Sequence, residues 1–393
     1  MKIAVLTSGI LPVPSVEGGA VENLIDFYLD YNDQHHLHDI TIYSTFNTLV
    51  NTHQALLSTA NHYRYVHSDT LCAKIGKRIY RWIKGGNCYH ETIQYYLYRT
   101  ISMMRKSDFD LIIVENRPGY IPLLAREFPS KPIILHLHND LLNADTPNGK
   151  HIYDATYRIL TVSDYISQRV KTLDANSTKC VTIHNGIDLS RFSPETTHPA
   201  RRSNYGITED DFLLVFSGRV IPEKGIEQLI EAMHLLSDYP QIRLMVLGSS
   251  FYGNNLYITP FMQKLKEKAQ PLGTRLVFTG YIPYDQMPSM LAMADAAVLP
   301  SVWDEPLGMT CLEAMAMGLP LITTNKGGIR EIVSQTCGIT LPVGQDFPEQ
   351  LANSIIRLYT DKDTRLTMSR ESLSNVKHFS REAYSQAFFN AVR

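Results

Sequence analysis

Residues 303–313 read WDEPLGMTCLE, so Glu305 and Glu313 are separated by seven residues with a Pro-Leu-Gly turn between them. The apolar run AAVLPS ends just before, and the spacing of Met309, Leu312, Ala316 and Met317 predicts a helix beginning near Gly308. The pair therefore falls on a strand-loop-helix corner. In open α/β sheets, ligands gather beyond the carboxyl ends of strands, and a helix N-terminus with free N–H groups holds phosphate well. A carboxylate ahead of that helix can accept hydrogen bonds from sugar hydroxyls, and one a turn and a half into it can grip a ribose. Taken alone, Glu305 reads equally well as an exposed loop charge and Glu313 as a solvated helix residue.

Their company narrows the reading. The run SGRVIPEKG, residues 217–225, follows the apolar FLLVF and precedes a helical pattern, placing Arg219 and Lys224 where both can flank a loop and converge on a diphosphate. Each charge-assisted hydrogen bond of that kind contributes roughly 1.5–3 kcal/mol. After the 303–313 segment, Gly318-Leu319-Pro320 stops the helix, and Gly327-Gly328 follows the next strand. Near the start, Gly18 and Gly19 lie between the first strand and a helix expected from about Val21, where glycine lets the backbone approach a ligand closely.

His136 and His138 sit in PIILHLHND, and strand alternation puts both imidazoles on one face. No third ligand with suitable spacing completes a metal site, so His138 is read as a ligand-facing residue and His136 as a packed or hydrogen-bonded one. Asp108-Phe109-Asp110 has the D-x-D form of metal-dependent sites, and His35, His36 and His38 cluster. Both groups precede strands, the end of the sheet away from ligands, so no metal is expected.

These residues need a scaffold, and the chain is long enough for two. A length of 393 residues implies two domains of somewhat under 200 each. Strand-like runs alternate with helical ones (KIAVLTS, VENLIDFYLDY, DITIYST, DLIIVEN, PIILHLH), and the pattern restarts with FLLVFSGR. That alternation argues for parallel sheets with crossover helices. The stretch 184–205, with Asn185-Gly186 and two prolines, reads as the junction. A formal net charge of −2 removes the basic field that nucleic-acid binding needs. Five scattered cysteines without C-x-x-C spacing read as reduced structural thiols. The start MKIAVLTSG lacks a signal-peptide pattern, and no apolar run suffices to span a bilayer, so a cytoplasmic place is expected.

The pattern E-P-L-G-x-x-x-x-E-A-M-A-x-G-x-P followed by G-G resembles the E-x7-E signature region of retaining glycosyltransferases of family 4. The resemblance implies an α/β GT-B fold with two Rossmann-like domains facing a central cleft. An acceptor-binding domain would cover residues 1–190 and a nucleotide-sugar domain 191–375, with a helix over 376–393 crossing back to the first. It implies transfer of a sugar, with retention, from a nucleoside diphosphate sugar, UDP-linked by family weight, to a glycan or lipid-linked acceptor of the bacterial envelope or an exopolysaccharide. Glu305, His138, Arg219 and Lys224 would be the catalytic set. The donor would also touch Gly18, Gly19, Gly218, Gly248, Tyr281, Ile282, Pro306, Leu307, Gly308, Met309, Thr310 and Glu313. The nucleotide sugar is then a substrate, and neither a cofactor nor a metal is implied. A nucleotide-sugar epimerase of the same fold and a silent carbohydrate-binding relative are the alternatives. The basic segment KIGKRIYRWIK, residues 74–84, suggests peripheral contact with anionic lipid on the inner face of the plasma membrane, or simply an exposed basic helix.

Overall fold

The computed structural model describes residues 1–68, 78, 88–250 and 259–393. Apart from Arg78, the basic segment 74–84 lies outside the described residues. The chain forms two compact units, Met1–Gly186 with Arg381–Arg393, and Ile187–Ser380.

The first unit is built on seven strands: β1 (Lys2–Leu6), β2 (Asp39–Thr45), β3 (Asn61–Val66), β4 (Leu111–Glu115), β5 (Ile133–Leu137), β6 (Arg158–Thr161) and β7 (Cys180–Thr182). They pair in parallel in the order β3-β2-β1-β4-β5-β6-β7. The central strands LIIVE and IILHL are buried along their whole length, as expected of a parallel sheet covered on both faces. The helix Ala20–His35 turns Leu24, Ile25, Tyr28 and Leu29 into the core, one residue ahead of its expected start. Arg381–Val392 packs beside it, with the Phe388 ring stacked on Tyr28 at 4.0 Å and 5° between planes. Arg158 donates to the Ala391 carbonyl and ties the helix end to β6.

The second unit repeats the plan with β8 (Phe212–Ser217), β9 (Ile242–Leu247), β10 (Leu276–Gly280), β11 (Ala296–Leu299), β12 (Leu321–Thr324) and β13 (Gly338–Leu341). Their order is β10-β9-β8-β11-β12-β13, again all parallel. In each sheet the order reverses beside its first strand, at β1/β4 and at β8/β11, the switch points where α/β sheets bind ligands.

The units part at 186/187 and 380/381, where the sequence suggested 190 and 375. Backbone pairing explains both differences. The Ile187 N–H donates to the Phe379 carbonyl at 2.8 Å, and Ile187 bridges Ser380, so the 3-10 turn Val376–Phe379 closes the second unit before the last helix begins.

Candidate active site

Beyond the end of β11 the chain runs as a loop to Gly308, and the next strand pins it. Thr323 Oγ1 donates to the Leu299 carbonyl at 2.8 Å, and Thr324 Oγ1 to the Ser301 carbonyl at 2.6 Å. Gly328 N–H donates to the Glu305 carbonyl at 2.8 Å. A Cβ on Gly328 would stand 2.3 Å from the Pro306 carbonyl oxygen, and one on Gly327 2.1 Å from that of Glu305. The Gly-Gly pair is thus a packing requirement that holds the Glu305 loop, and the backbone it supports turns the Glu305 side chain inward.

Glu305 is buried, and Lys224 Nζ donates to its Oε1 at 2.5 Å. Ser301 Oγ lies 2.6 Å from the same oxygen. Lys224 closes the 3-10 turn Pro222–Lys224 just after β8, so the pair joins the loops that follow β8 and β11 across the switch point. Removing one partner of a buried pair leaves an uncompensated charge, which is costly. Lys224, Ser301 and Glu305 line a pocket with Ser217, Gly308 and Thr310. The Ser217 hydroxyl there is buried without a hydrogen-bond partner. Gly308 and Thr310 belong to the start of the helix Met309–Ala316, whose N-cap is Gly308 at φ 102°. The pocket therefore offers a cation, a carboxylate, hydroxyls and a helix N-terminus within one wall.

Glu313 lies farther along that helix and is buried as well. Burial pushes its carboxyl up to about 7, opposed by a hydrogen bond from the Tyr284 hydroxyl and by the charge of Lys224. Phe192 and Arg191 approach the Tyr284 ring, at 5.5 Å between centroids and 5.4 Å from guanidinium to centroid. Both glutamates, readable from sequence as surface charges, are interior residues. Ser301 and Tyr284 escaped the sequence reading; the only available signals were their nearness to Glu305 and to the expected Tyr281-Ile282 pair.

The remaining expected residues are more scattered. Arg219 is exposed in the loop after β8 and is not among the residues lining the pocket. Gly218 and Gly248 end β8 and β9 at φ 137° and 139°, and a Cβ on Gly248 would meet the Gly218 carbonyl oxygen at 2.0 Å. Tyr281 is exposed, Ile282, Pro306 and Met309 are half-buried, and Leu307 is packed in the interior.

In the first unit the β4/β5 register sets Glu115 opposite His136. His138 Nε2 lies 2.9 Å from Glu115 Oε2, and His136 Nδ1 3.1 Å from the same oxygen. Tyr28 donates its hydroxyl proton to Oε1 at 3.0 Å. Burial alone would push the Glu115 carboxyl up; the two histidines outweigh it and hold it at about 2. Burial and His136 push His138 down to about 4 against the pull of Glu115, so its imidazole is neutral near pH 7. The sequence offered no third ligand for the two histidines. The structure supplies one in Glu115, whose oxygens and the imidazole nitrogens lie within 4.8 Å of one another. A neighbouring strand brings it there, a proximity that spacing along the chain does not encode. The carboxylate has three groups in hydrogen-bond reach, while His136 Nε2 and His138 Nδ1 are buried without a hydrogen-bond partner.

Gly18 and Gly19 adopt φ 76° and 108° ahead of the helix Ala20–His35. A Cβ on Gly19 would meet Glu22 Oε2 at 2.3 Å, so this glycine makes room for a buried carboxylate that the sequence reading also missed. Asp108 and Asp110 are engaged by Lys2, through its ammonium at 2.8 Å and its backbone N–H at 2.8 Å. Cys180, Cys311 and Cys337 are free thiols.

Two parallel sheets with a pocket at the switch point of the second define a protein of the GT-B glycosyltransferase class. The likeness extends over whole chains. The Anabaena Alr3699/HepE structure in complex with UDP and glucose matches with a TM-score of 0.73 at 20% identity, covering 100% of this chain and 99% of that one. A glycosyltransferase from Rickettsia africae ESF-5 matches with a TM-score of 0.75 at 18% identity, covering 99% and 97%. A profile described as Glycosyl transferases group 1 matches residues 198–374, and one described as Glycosyltransferase Family 4 matches residues 49–191. YtcC of Bacillus subtilis (strain 168), named as a glycosyltransferase, is 30% identical over 393 residues, which cover 96% of this chain and 88% of YtcC. The chain belongs to the group 1, family 4 glycosyltransferases and is a glycosyltransferase. Among the described residues, no helix is long and apolar enough to cross a membrane.

Proposed function

We propose that the chain transfers a glycosyl group, with retention and without a metal, from a UDP-linked sugar to an acceptor hydroxyl on a glycan or lipid-linked glycan of the bacterial envelope or an exopolysaccharide. The observation that carries this reading is the Lys224–Glu305 pair lining a pocket at the start of a helix, where charge from a departing diphosphate can be met by fixed partners. The UDP and glucose held by Alr3699/HepE support the choice of donor.

Lys224, Arg219 and the N–H groups near Gly308 and Thr310 would hold the diphosphate. Glu305 would accept hydrogen bonds from the sugar while fixing Lys224, and Glu313 would hold the ribose. Within the first unit, His138, Gly18 and Gly19 would be the ligand-facing residues. In the step itself the bond from the anomeric carbon to the phosphate oxygen breaks, and a bond to the acceptor oxygen forms on the same face. The acceptor proton passes to the departing phosphate. Glu305 then acts by position and charge, with no covalent intermediate.

A thermal-shift panel of nucleotide sugars, with and without magnesium, tests donor and metal together. Binding to the folded state adds about 2.7 kcal/mol at one hundred times the dissociation constant. A hit that requires magnesium overturns the metal-free mechanism. Glu305→Ala, Lys224→Ala and Arg219→Ala should each lose turnover, the first two with some loss of melting temperature because each breaks the buried pair. Normal transfer by all three removes the assigned roles, and nucleotide release that needs no acceptor points instead to an epimerase.

A further inference from the structure

His138 is gripped twice by the end of the neighbouring strand. β4 finishes at Glu115, whose Oε2 lies 2.9 Å from His138 Nε2. The next residue, Asn116, takes the left-handed φ of 54°, a conformation asparagine tolerates better than most side chains. Its N–H donates to the His136 carbonyl at 2.7 Å, and its Oδ1 accepts from the His138 N–H at 3.1 Å. Glu115 thus holds the ring and Asn116 the backbone of the same residue. A non-glycine residue kept at positive φ by such contacts is a feature that gathers at functional sites.

The grip on the ring also fixes a proton. Glu115 is fully buried and, against that burial, held ionised by the two histidines. An ionised carboxylate only accepts, so His138 Nε2 must carry the hydrogen between them. Burial and His136 keep the His138 ring neutral near pH 7, and a neutral imidazole has one N–H. Nδ1 is left as a bare acceptor, buried with no hydrogen-bond partner among the described residues. His138 lies one residue beyond β5, at the carboxyl edge of the sheet, where α/β proteins bind ligands.

We propose that Glu115 and Asn116 are positioning residues that lock His138 as its Nε2–H tautomer and hold Nδ1 as the acceptor for a hydroxyl of the donor sugar. This rests on the reading of His138 as ligand-facing. A bare lone pair repels a phosphate oxygen and suits a hydroxyl, so the clamp selects for the sugar and not for the diphosphate.

The test uses the full chain and two readouts. The first is ¹⁵N NMR of histidine-labelled protein at pH 7.5, with the His138 signal assigned by its loss in His138→Gln. Wild type should show the Nε2–H tautomer; a charged ring or the Nδ1–H tautomer overturns the proposal. Glu115→Met, which deletes both oxygens, should give mixed tautomers, and an unchanged single tautomer removes Glu115 from the role. The second readout is calorimetric, the affinity for UDP-glucose relative to UDP. Asn116→Gly relieves the backbone and deletes the grip, and should lower that ratio about fivefold, the worth of one hydrogen bond, with UDP itself unchanged. Asn116→Asp keeps an acceptor oxygen and should restore the ratio. Tyr28→Phe, which takes a different group from the same carboxylate, should preserve both readouts. An equal loss for UDP and UDP-glucose in Asn116→Gly, or no loss for either, overturns the positioning role. If His138→Gln itself leaves the ratio unchanged, the ligand-facing reading of His138 fails, whatever tautomer the ring holds.

Discussion

Two carboxylates buried at the carboxyl ends of their sheets meet opposite fates. In the first unit, Glu115 has Tyr28, His136 and His138 in hydrogen-bond reach and is held at about 2. In the second, burial outweighs the influence of Tyr284 and Lys224 and carries the Glu313 carboxyl up to about 7. Desolvation opposes the charge in both, and the number of partners decides which effect wins. Glu305 is a third case, compensated directly by an ammonium at 2.5 Å in the wall of a pocket. Buried, with three groups on one carboxylate, the first arrangement suits holding a histidine in place; the second and third leave acceptor capacity for something arriving from outside.

The largest expected effect separates the two regions outright. Lys224→Ala should cut turnover about 100- to 1000-fold, the loss typical of removing one preorganised charge stabiliser. Tyr28→Phe should leave turnover near wild type and lower unfolding free energy by about 1 kcal/mol, as for one hydrogen bond. Steady-state transfer assays paired with urea melts measure both. A catalytic collapse in Tyr28→Phe would erase the contrast.

Next comes pH. If ribose hydroxyls donate to ionised Glu313, UDP affinity should fall roughly tenfold as pH drops from 8 to 6, since each unit below the carboxyl's midpoint weakens the charged form about tenfold. Glu313→Gln should flatten the profile, as calorimetry would show. Stability runs in opposite directions for the two glutamates. The Glu115 carboxyl is lowered in the fold, so its contribution is present above about 4.5 and lost as pH falls toward 2. That of Glu313 is raised, so the fold binds the extra proton between about 4.5 and 7 and loses stability as pH rises through that window. Urea titrations of Glu115→Gln and Glu313→Gln should therefore change the pH slope with opposite signs.

A last contrast concerns two glycines, and the smallest effect falls on Gly18. Gly248→Ala combines φ 139° with a contact 2.0 Å from the Gly218 carbonyl and should cost about 1–3 kcal/mol. At Gly18 a Cβ meets nothing within 4 Å, so Gly18→Ala carries only the backbone strain of φ 76°, about 1 kcal/mol. Chemical denaturation distinguishes them, and equal losses would show that φ alone governs both sites.

Much of the architecture was legible because it is written locally. Continuous apolar runs such as LIIVE and FLLVF mark parallel strands, and the spacing of Met309, Leu312 and Ala316 marks the helix whose start carries the pocket. Glu305 and Lys224 could be nominated because each sits on a short loop after a strand, and the Glu305–Glu313 spacing carried the family resemblance. What the sequence could not say was how those residues are held. The Lys224–Glu305 pair spans 81 positions, and Glu115 meets His138 across 23, through strands paired side by side. The same limit hid Ser301, whose role exists only through the carboxylate it touches. It also left Arg219 looking like the equal of Lys224, although the structure makes one exposed and turns the other onto Glu305. Residue type and local periodicity determined which chemistry this chain carries and on which corners. Only the tertiary structure decided which charges are buried and which are partnered, because desolvation and hydrogen bonding act through space between segments far apart along the chain.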